Sequence, residues 1–304
     1  MSLSSVLSAT IIGIQATPII VEVDARNGLP QETIIGLPDT IIKESRSRIK
    51  SAILHAGFDY PPRHYVINLA PAEIKKEGAL LDLPIAIGIL QATGQLPKTP
   101  HSLFVGELSL DGSLCPIRGI FSICHDIPQS HPELQLFIPY HHSPHIQFLN
   151  LKQVIPIQHL RDVASYLHNP YIPPDPPSPT SPAAPPPQSS TDLSDIRGQA
   201  AAKRALKIAA SGGHNILLIG PPGSGKTMLA KRFPTILPPL SIHQAIDTLK
   251  VHSLRNHTLP IPAHTEFIPP FRSPHHSISY GGMVGGGSHP KPGEISLAHH
   301  GVLF

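Results

Sequence analysis

Residues 215–227 read NILLIGPPGSGKT, and the fold of the second half of the chain is decided there. Positions 215–219 are a short all-apolar run, the pattern of a strand buried on both faces of a parallel sheet. The next eight residues, Gly220, Pro221, Pro222, Gly223, Ser224, Gly225, Lys226 and Thr227, fit GxxxxGK[ST] in full. Glycines at these places leave room for consecutive backbone N–H groups to surround phosphate oxygens. A helix opening near Gly225 aims the positive end of its dipole at the same anion. Lys226 brings a point charge to the β- and γ-phosphates, and the Thr227 hydroxyl is a ligand for Mg²⁺. The stretch therefore predicts an α/β module that takes ATP with Mg²⁺ at Gly220 to Thr227.

Working outward, residues 199–210 predict a helix with Ala202, Ala205, Leu206 and Ala209 on its buried side, closed by Gly212-Gly213. Downstream the pattern is incomplete. Phosphoryl transfer needs an acidic residue beside the metal and an oriented water. After Thr227 the acidic residues are Asp247, Glu266 and Glu294, and none follows an apolar strand-like run. The last residues, Gly301-Val302-Leu303-Phe304, read as the start of such a strand. The expectation is a chain cut before its acidic strand, with no complete catalytic set. Around His275-His276 and the glycines at 281–287, two readings stand: a pore loop touching DNA phosphates with Arg272 and Lys291, or a surface loop packed on the nucleotide module.

The composition narrows the class. Of 304 residues, 40% are hydrophobic and only 14% charged, too apolar for a disordered chain and too poor in charge for a coiled coil. Two cysteines, Cys115 and Cys124, make neither a disulfide framework nor a CxxC pair, which suits a reducing cytoplasm. The amino terminus lacks the basic region of a signal peptide, and no apolar run reaches the ~18 residues of a membrane helix. Residues 1–191 carry 12 basic and 15 acidic side chains, and residues 192–304 carry 11 and 5. The balances, −3 and +6, put the affinity for anions in the second half. Twenty histidines are present, but none has HExxH or Cys/His ligand spacing, so the pattern does not point to a metal.

Residues 170–187 hold ten prolines in eighteen positions, a semi-rigid polyproline spacer. The chain thus divides into 1–169, a linker over 170–191, and 192–304. The first part predicts strands at 19–24, 65–69, 134–138 and 154–157. It predicts a helix capped by Asp39 with Ile42, Ile49, Ile53 and Ala56 on one side, another from Asp82 to Gly94, and a closing helix at 160–167. Runs 103–110 and 113–117 flank Asp111-Gly112, a two-residue hairpin turn. This is α/β with at least one antiparallel pair.

Five stretches, 192–240 and 270–304 in the second part and, in the first, GLPDTIIKESRSRIKSAI (36–53), NLAPAEIKKEGALLDLPIAIGIL (68–90) and VGELSLDGSLCPIRG (105–119), resemble the YifB/ComM family of magnesium-chelatase-like AAA+ ATPases. The resemblance implies that 1–169 is similar to the proteolytic domain of Lon, a ribosomal-S5-like α/β fold. It places Leu80 and Phe121 where that domain has its Ser–Lys dyad, so peptidase activity is not carried over. For 192–304 it implies the first part of an AAA+ module, with Asp195, Arg197 and Gly198 over the adenine. It further implies a hexameric ring that drives branch migration on DNA in recombination or competence. The competing expectation is a truncated or split nucleotide-binding module that holds ATP without hydrolysing it alone.

Overall fold

The computed structural model describes residues 2–76, 78–146, 149, 151–168, 192–256, 267–287 and 290–304. The proline tract at 170–187 and Glu266 lie outside the described residues. Two compact units emerge, one within 2–168 and one comprising 192–255 and 267–304.

The first unit begins with strands β1 (Ser2–Ile12) and β2 (Gln15–Arg26), an antiparallel hairpin turned at Gly13, whose φ is +63°. The sequence did not mark β1 as a strand, because its serines break the apolar alternation. Buried Ser4 and Ser8 donate to the carbonyls of Gly88 at 2.6 Å and Phe104 at 2.9 Å. With their hydroxyls satisfied, they behave as core residues.

Strand β3 (Gln31–Ile35) leads to helix α1 (Thr40–His55), then strand β4 (His64–Ala70) and helix α2 (Asp82–Ala92). Asp39 caps α1 as expected: one carboxylate oxygen accepts from the Ile42 N–H at 2.8 Å and the other from the Gly78 N–H at 2.9 Å. Ile42, Ile49, Ile53 and Ala56 are buried together.

Next come β5 (Ser102–Phe104), the short hairpin β6 (Glu107–Leu108) and β7 (Leu114–Cys115), helix α3 (Ile120–Ser130), β8 (Gln135–Pro139), α4 (Ser143–Ile146), β9 (Val154–Ile157) and α5 (Leu160–His168). Seven strands form one sheet in the order β3-β4-β2-β1-β5-β8-β9. Only β1–β2 and β2–β4 are antiparallel; the other neighbours run parallel. The expected 103–110 strand is split, its first part joining the large sheet and its second forming β6. The turn is also longer than two residues, since the Ser109 N–H bonds the Ser113 carbonyl at 2.8 Å.

Helix α2 is buried along its whole length, and its first residue is ionisable. Asp82 accepts from the Arg48 guanidinium at 2.7 Å and from the Leu108 N–H at 3.2 Å. Burial pushes its carboxyl up to about 6 against the pull of Arg48. Breaking such a pair strands the remaining charge, so Asp82→Ala is expected to cost about 3 kcal/mol, read as a shift in urea midpoint at constant slope. Leu80 is half-buried and Phe121 wholly buried; both side chains are packing residues.

The second unit contains α6 (Ala200–Gly212), α7 (Lys226–Arg232), α8 (Ile242–Arg255), β10 (Phe271–Arg272), α9 (Tyr280–Val284), β11 (Gly285–Gly286), β12 (Lys291–Pro292), α10 (Glu294–Leu297) and β13 (Val302–Leu303). Its apolar cluster gathers Leu193, Ile196, Leu206 and Leu229, with Ile216 and Phe233 packed against it. In α6, Leu206 and Ala209 are buried as expected and Ala202 half-buried, but Ala205 is exposed. Its last turn closes at Gly213 in the left-handed conformation.

Residues 215–219 correct the opening expectation. They form no strand among the described residues, and Leu217 and Ile219 are 81% and 87% exposed. An apolar run becomes a buried strand only when neighbours supply ladder bonds on both edges and cover on both faces. Here the parallel pairing is made instead between β10 and β13, Phe271 opposite Val302. Leu217→Ser is therefore expected to change stability by less than about 0.5 kcal/mol, as at other exposed sites. Denaturant unfolding checks this; a loss of about 2 kcal/mol or more, the cost of a truncated core leucine, would contradict it.

Candidate functional site

The turn at 220–227 owes its path to its glycines. Gly223 and Gly225 take φ of +79° and +85°, the left-handed region that L side chains enter at a cost. A Cβ at Gly220 would meet the Ser224 hydroxyl at 2.9 Å. Gly225 immediately precedes α7, so the chain passes from a tight turn into a helix as the motif requires.

Lys226 folds back over this turn. Its ammonium donates to the carbonyls of Gly220 at 2.6 Å and Pro221 at 2.8 Å, and to the Ser224 hydroxyl at 3.3 Å. An ammonium has three protons to give, and here each has an acceptor on the turn that an incoming phosphate would approach. The Thr227 side chain, next along, is exposed. The turn runs through Gly220, Pro221, Pro222, Gly223, Ser224, Gly225, Lys226 and Thr227, with Lys226 joined to Gly220, Pro221 and Ser224.

A neighbouring segment is tied to the turn by contacts the sequence did not reveal. Asp192 and Asp195 cap the short helical turn Leu193–Asp195 reciprocally. Arg232, at the end of α7, donates to the Asp192 carbonyl at 3.1 Å and stands 3.7 Å from the Asp195 carboxylate. Gly198 and then Gln199 take left-handed φ values of +70° and +53°, and the Gln199 amide donates to the Ser224 carbonyl at 3.3 Å. A non-glycine residue in this conformation marks a constrained backbone.

Among the described acidic residues of this unit, Asp192 and Asp195 are engaged in capping and with Arg232, and Asp247 stands beside His300. Glu294 is clamped by two guanidinium groups: Arg272 Nε at 2.5 Å and its second nitrogen at 2.8 Å, and Arg255 at 2.8 Å. The Arg272 hydrogen bonds, with Arg255 assisting, hold its carboxyl down at about 2. Such a carboxylate is a structural anion, already fully coordinated. Arg272 is likewise engaged, its guanidinium paired with Glu294 beside the glycine-rich segment. That segment is a tight hairpin of β11 and β12. A Cβ at Gly293 would fall 2.4 Å from both the Gly285 nitrogen and the Met283 carbonyl, and only glycine permits the approach. Lys291 and Tyr280 are exposed.

Among the described residues no helix is long and apolar enough to cross a membrane. A second concavity, a groove of about 690 Å³ on the first unit, is lined by Lys43, Arg46, Lys50 and Arg63 with Glu32 and Tyr60.

Comparison with known proteins places both units. Residues 192–304 match the family described as magnesium chelatase, subunit ChlI, and residues 21–141 match the family described as subunit ChlI of Mg-chelatase. Along its whole length the chain is 44% identical to the YifB protein of Escherichia coli and 41% identical to that of Salmonella typhimurium, covering 59% of each. It is 42% identical to the competence protein ComM of Haemophilus influenzae, covering all of this chain and 60% of that one. The chain spans about three-fifths of the length of the relatives it matches.

Proposed function

The chain belongs to the YifB/ComM family of magnesium-chelatase-like AAA+ proteins, and on that footing we propose that its second unit binds ATP with Mg²⁺ at residues 220–227. The observation that carries this is the Lys226 ammonium, held by the Gly220 and Pro221 carbonyls across a turn whose glycines adopt left-handed φ. A phosphate entering the turn exchanges those carbonyls for its own oxygens, a contact between two opposite charges that is stronger than the ammonium–carbonyl bonds it replaces. Thr227 supplies one Mg²⁺ ligand and the loop amides the rest of the anion cradle.

In the complete motor this unit works within a ring, hexameric as the family resemblance implies, that moves along DNA. The competence name of the Haemophilus relative and the +6 balance of residues 192–304 support that reading. Contact is to the DNA backbone, because basic side chains without interleaved aromatics provide charge and little base readout. Binding then weakens linearly in log–log with salt.

A second reading is favoured by one observation. Glu294 is spoken for by Arg255 and Arg272, so among the described residues this carboxylate is held by structure and not offered to orient water. On this reading the unit is a nucleotide-binding module whose turnover is completed by another polypeptide segment.

Calorimetric titration with Mg²⁺-ATP tests the binding claim. Lys226→Ala is expected to weaken binding tenfold or more while leaving the unfolding midpoint within the range of ordinary surface substitutions. Equal affinity in the two proteins would overturn it.

A further inference from the structure

Twenty histidines give the sequence no recognisable ligand pattern, yet the fold draws two of them to a carboxylate more than fifty positions away. Donor atoms of Asp247, His299 and His300 all lie within 4.8 Å of one another, and no other group of His, Cys, Asp or Glu does so among the described residues. Asp247 Oδ2 and His300 Nε2 stand 3.9 Å apart. The two imidazoles are 3.9 Å apart centre to centre and tilted by 48°.

The backbone accounts for this convergence. Residues 298–300 form the turn that follows α10. Within it His300 takes φ +57°, one of only three non-glycine residues with positive φ among the described residues. The reversal at His300 leaves both rings on the side of α8 that carries Asp247. The segment is also fastened to α8: the Thr248 hydroxyl donates to the His299 carbonyl at 3.4 Å, and His252 Nε2 meets the Leu297 carbonyl at 3.0 Å. Inside the segment, the Gly301 N–H closes a turn onto the Ala298 carbonyl at 2.8 Å. A strained residue held in place by its surroundings is the arrangement from which a functional role is inferred.

We propose that Asp247, His299 and His300 form a binding site for a divalent first-row transition ion of the Zn²⁺ or Co²⁺ type. Two imidazoles and one carboxylate suit such ions and are poor ligands for Mg²⁺, which takes oxygen donors and retains its waters. Three protein ligands leave a fourth position for water. Donors about 2.1 Å from one ion sit roughly 3.4 Å from each other in a tetrahedron. The present spread, within 4.8 Å, is wider by up to about 1.4 Å than that spacing, a gap that side-chain rotations of these part-exposed groups close. The ion would replace the single long Asp247–His300 contact with three short bonds and pin residues 299–300 to α8. The site is separate from the Mg²⁺ that accompanies ATP, and it stands whether or not the turn at 220–227 binds nucleotide.

The test is a Co²⁺ titration of the metal-stripped full chain, followed by visible absorption, with excess Mg²⁺ present throughout. One equivalent is expected to bind with the intense bands of a four- or five-coordinate site, and Zn²⁺ is expected to displace it and to raise the thermal midpoint. Asp247→Asn, His300→Gln and His299→Gln are each expected to weaken Co²⁺ at least tenfold. His299 is exposed, so its variant keeps the test intact if either of the others disturbs folding. Another histidine pair, His275-His276, has rings 4.0 Å apart but belongs to no such donor group among the described residues. His276→Ala is expected to leave the spectrum and the affinity unchanged. Absence of the bands, bands indifferent to all three ligand substitutions, or bands lost equally in His276→Ala would each overturn the proposal.

Discussion

Replacing Glu294 with alanine is expected to destabilise the second unit by about 3 kcal/mol at neutral pH, the scale on which removal of one partner from a buried ion cluster is felt. The side chain is 9% exposed and accepts three hydrogen bonds from Arg255 and Arg272. These two arginines arrive from α8 and β10, so the carboxylate joins segments distant in sequence. Without it, two guanidinium groups face one another with no anion between them. The effect carries a pH signature. The folded carboxyl sits at about 2, below its ordinary value of 4.5, so its stabilisation is complete above about pH 4.5 and disappears as pH falls towards 2. Denaturant unfolding of the native protein and the Glu294→Ala variant at pH 7 and pH 3 should show the gap narrowing at the lower pH. A gap of the same size at both values would mean that the carboxylate stabilises by packing alone.

The second large effect concerns turnover. Phosphoryl transfer passes through a loose transition state that the protein assists by placing metal, water and positive charge. Thr227 offers one metal ligand. Glu294 is neutralised in place, and Asp192 and Asp195 are occupied with capping and with Arg232. An arginine supplied by a neighbouring subunit is worth roughly 10³–10⁵ in rate in P-loop systems. Steady-state phosphate release by the 304-residue chain, with and without DNA, is therefore expected to stay at background and to be the same in Lys226→Ala. Sustained release at about one per second, an ordinary enzymatic rate, that vanishes in the variant would show that another carboxylate completes the site.

What the sequence disclosed and what it hid follow from how local each feature is. The Asp39 cap, the Gly94 helix stop and the glycine-turned path of residues 220–227 were legible because each is decided within a few residues by backbone preference. Strand β1 was hidden because Ser4 and Ser8 look polar until their hydroxyls meet the Gly88 and Phe104 carbonyls. Residues 215–219 were misread for the opposite reason. Their apolarity is local, whereas the pairing that makes a strand is not. The Glu294 clamp unites segments 22 and 39 positions apart and the Asp247–His299–His300 group segments more than fifty apart, and no spacing rule anticipates them. The positive φ of Gln199 and His300 leaves no trace in residue type.

The proposed function depends on triphosphate resting on the turn at 220–227. Amide hydrogen exchange tests it in place. Phosphate oxygens that accept from the loop N–H groups hold them against exchange, whereas free loop amides exchange readily. On adding Mg²⁺-ATP, exchange is expected to slow across 220–230 in the native chain and to remain fast there in Lys226→Ala. Slowing in the basic groove lined by Lys43, Arg46, Lys50 and Arg63 with none at 220–230, or no slowing anywhere at saturating nucleotide, would contradict it.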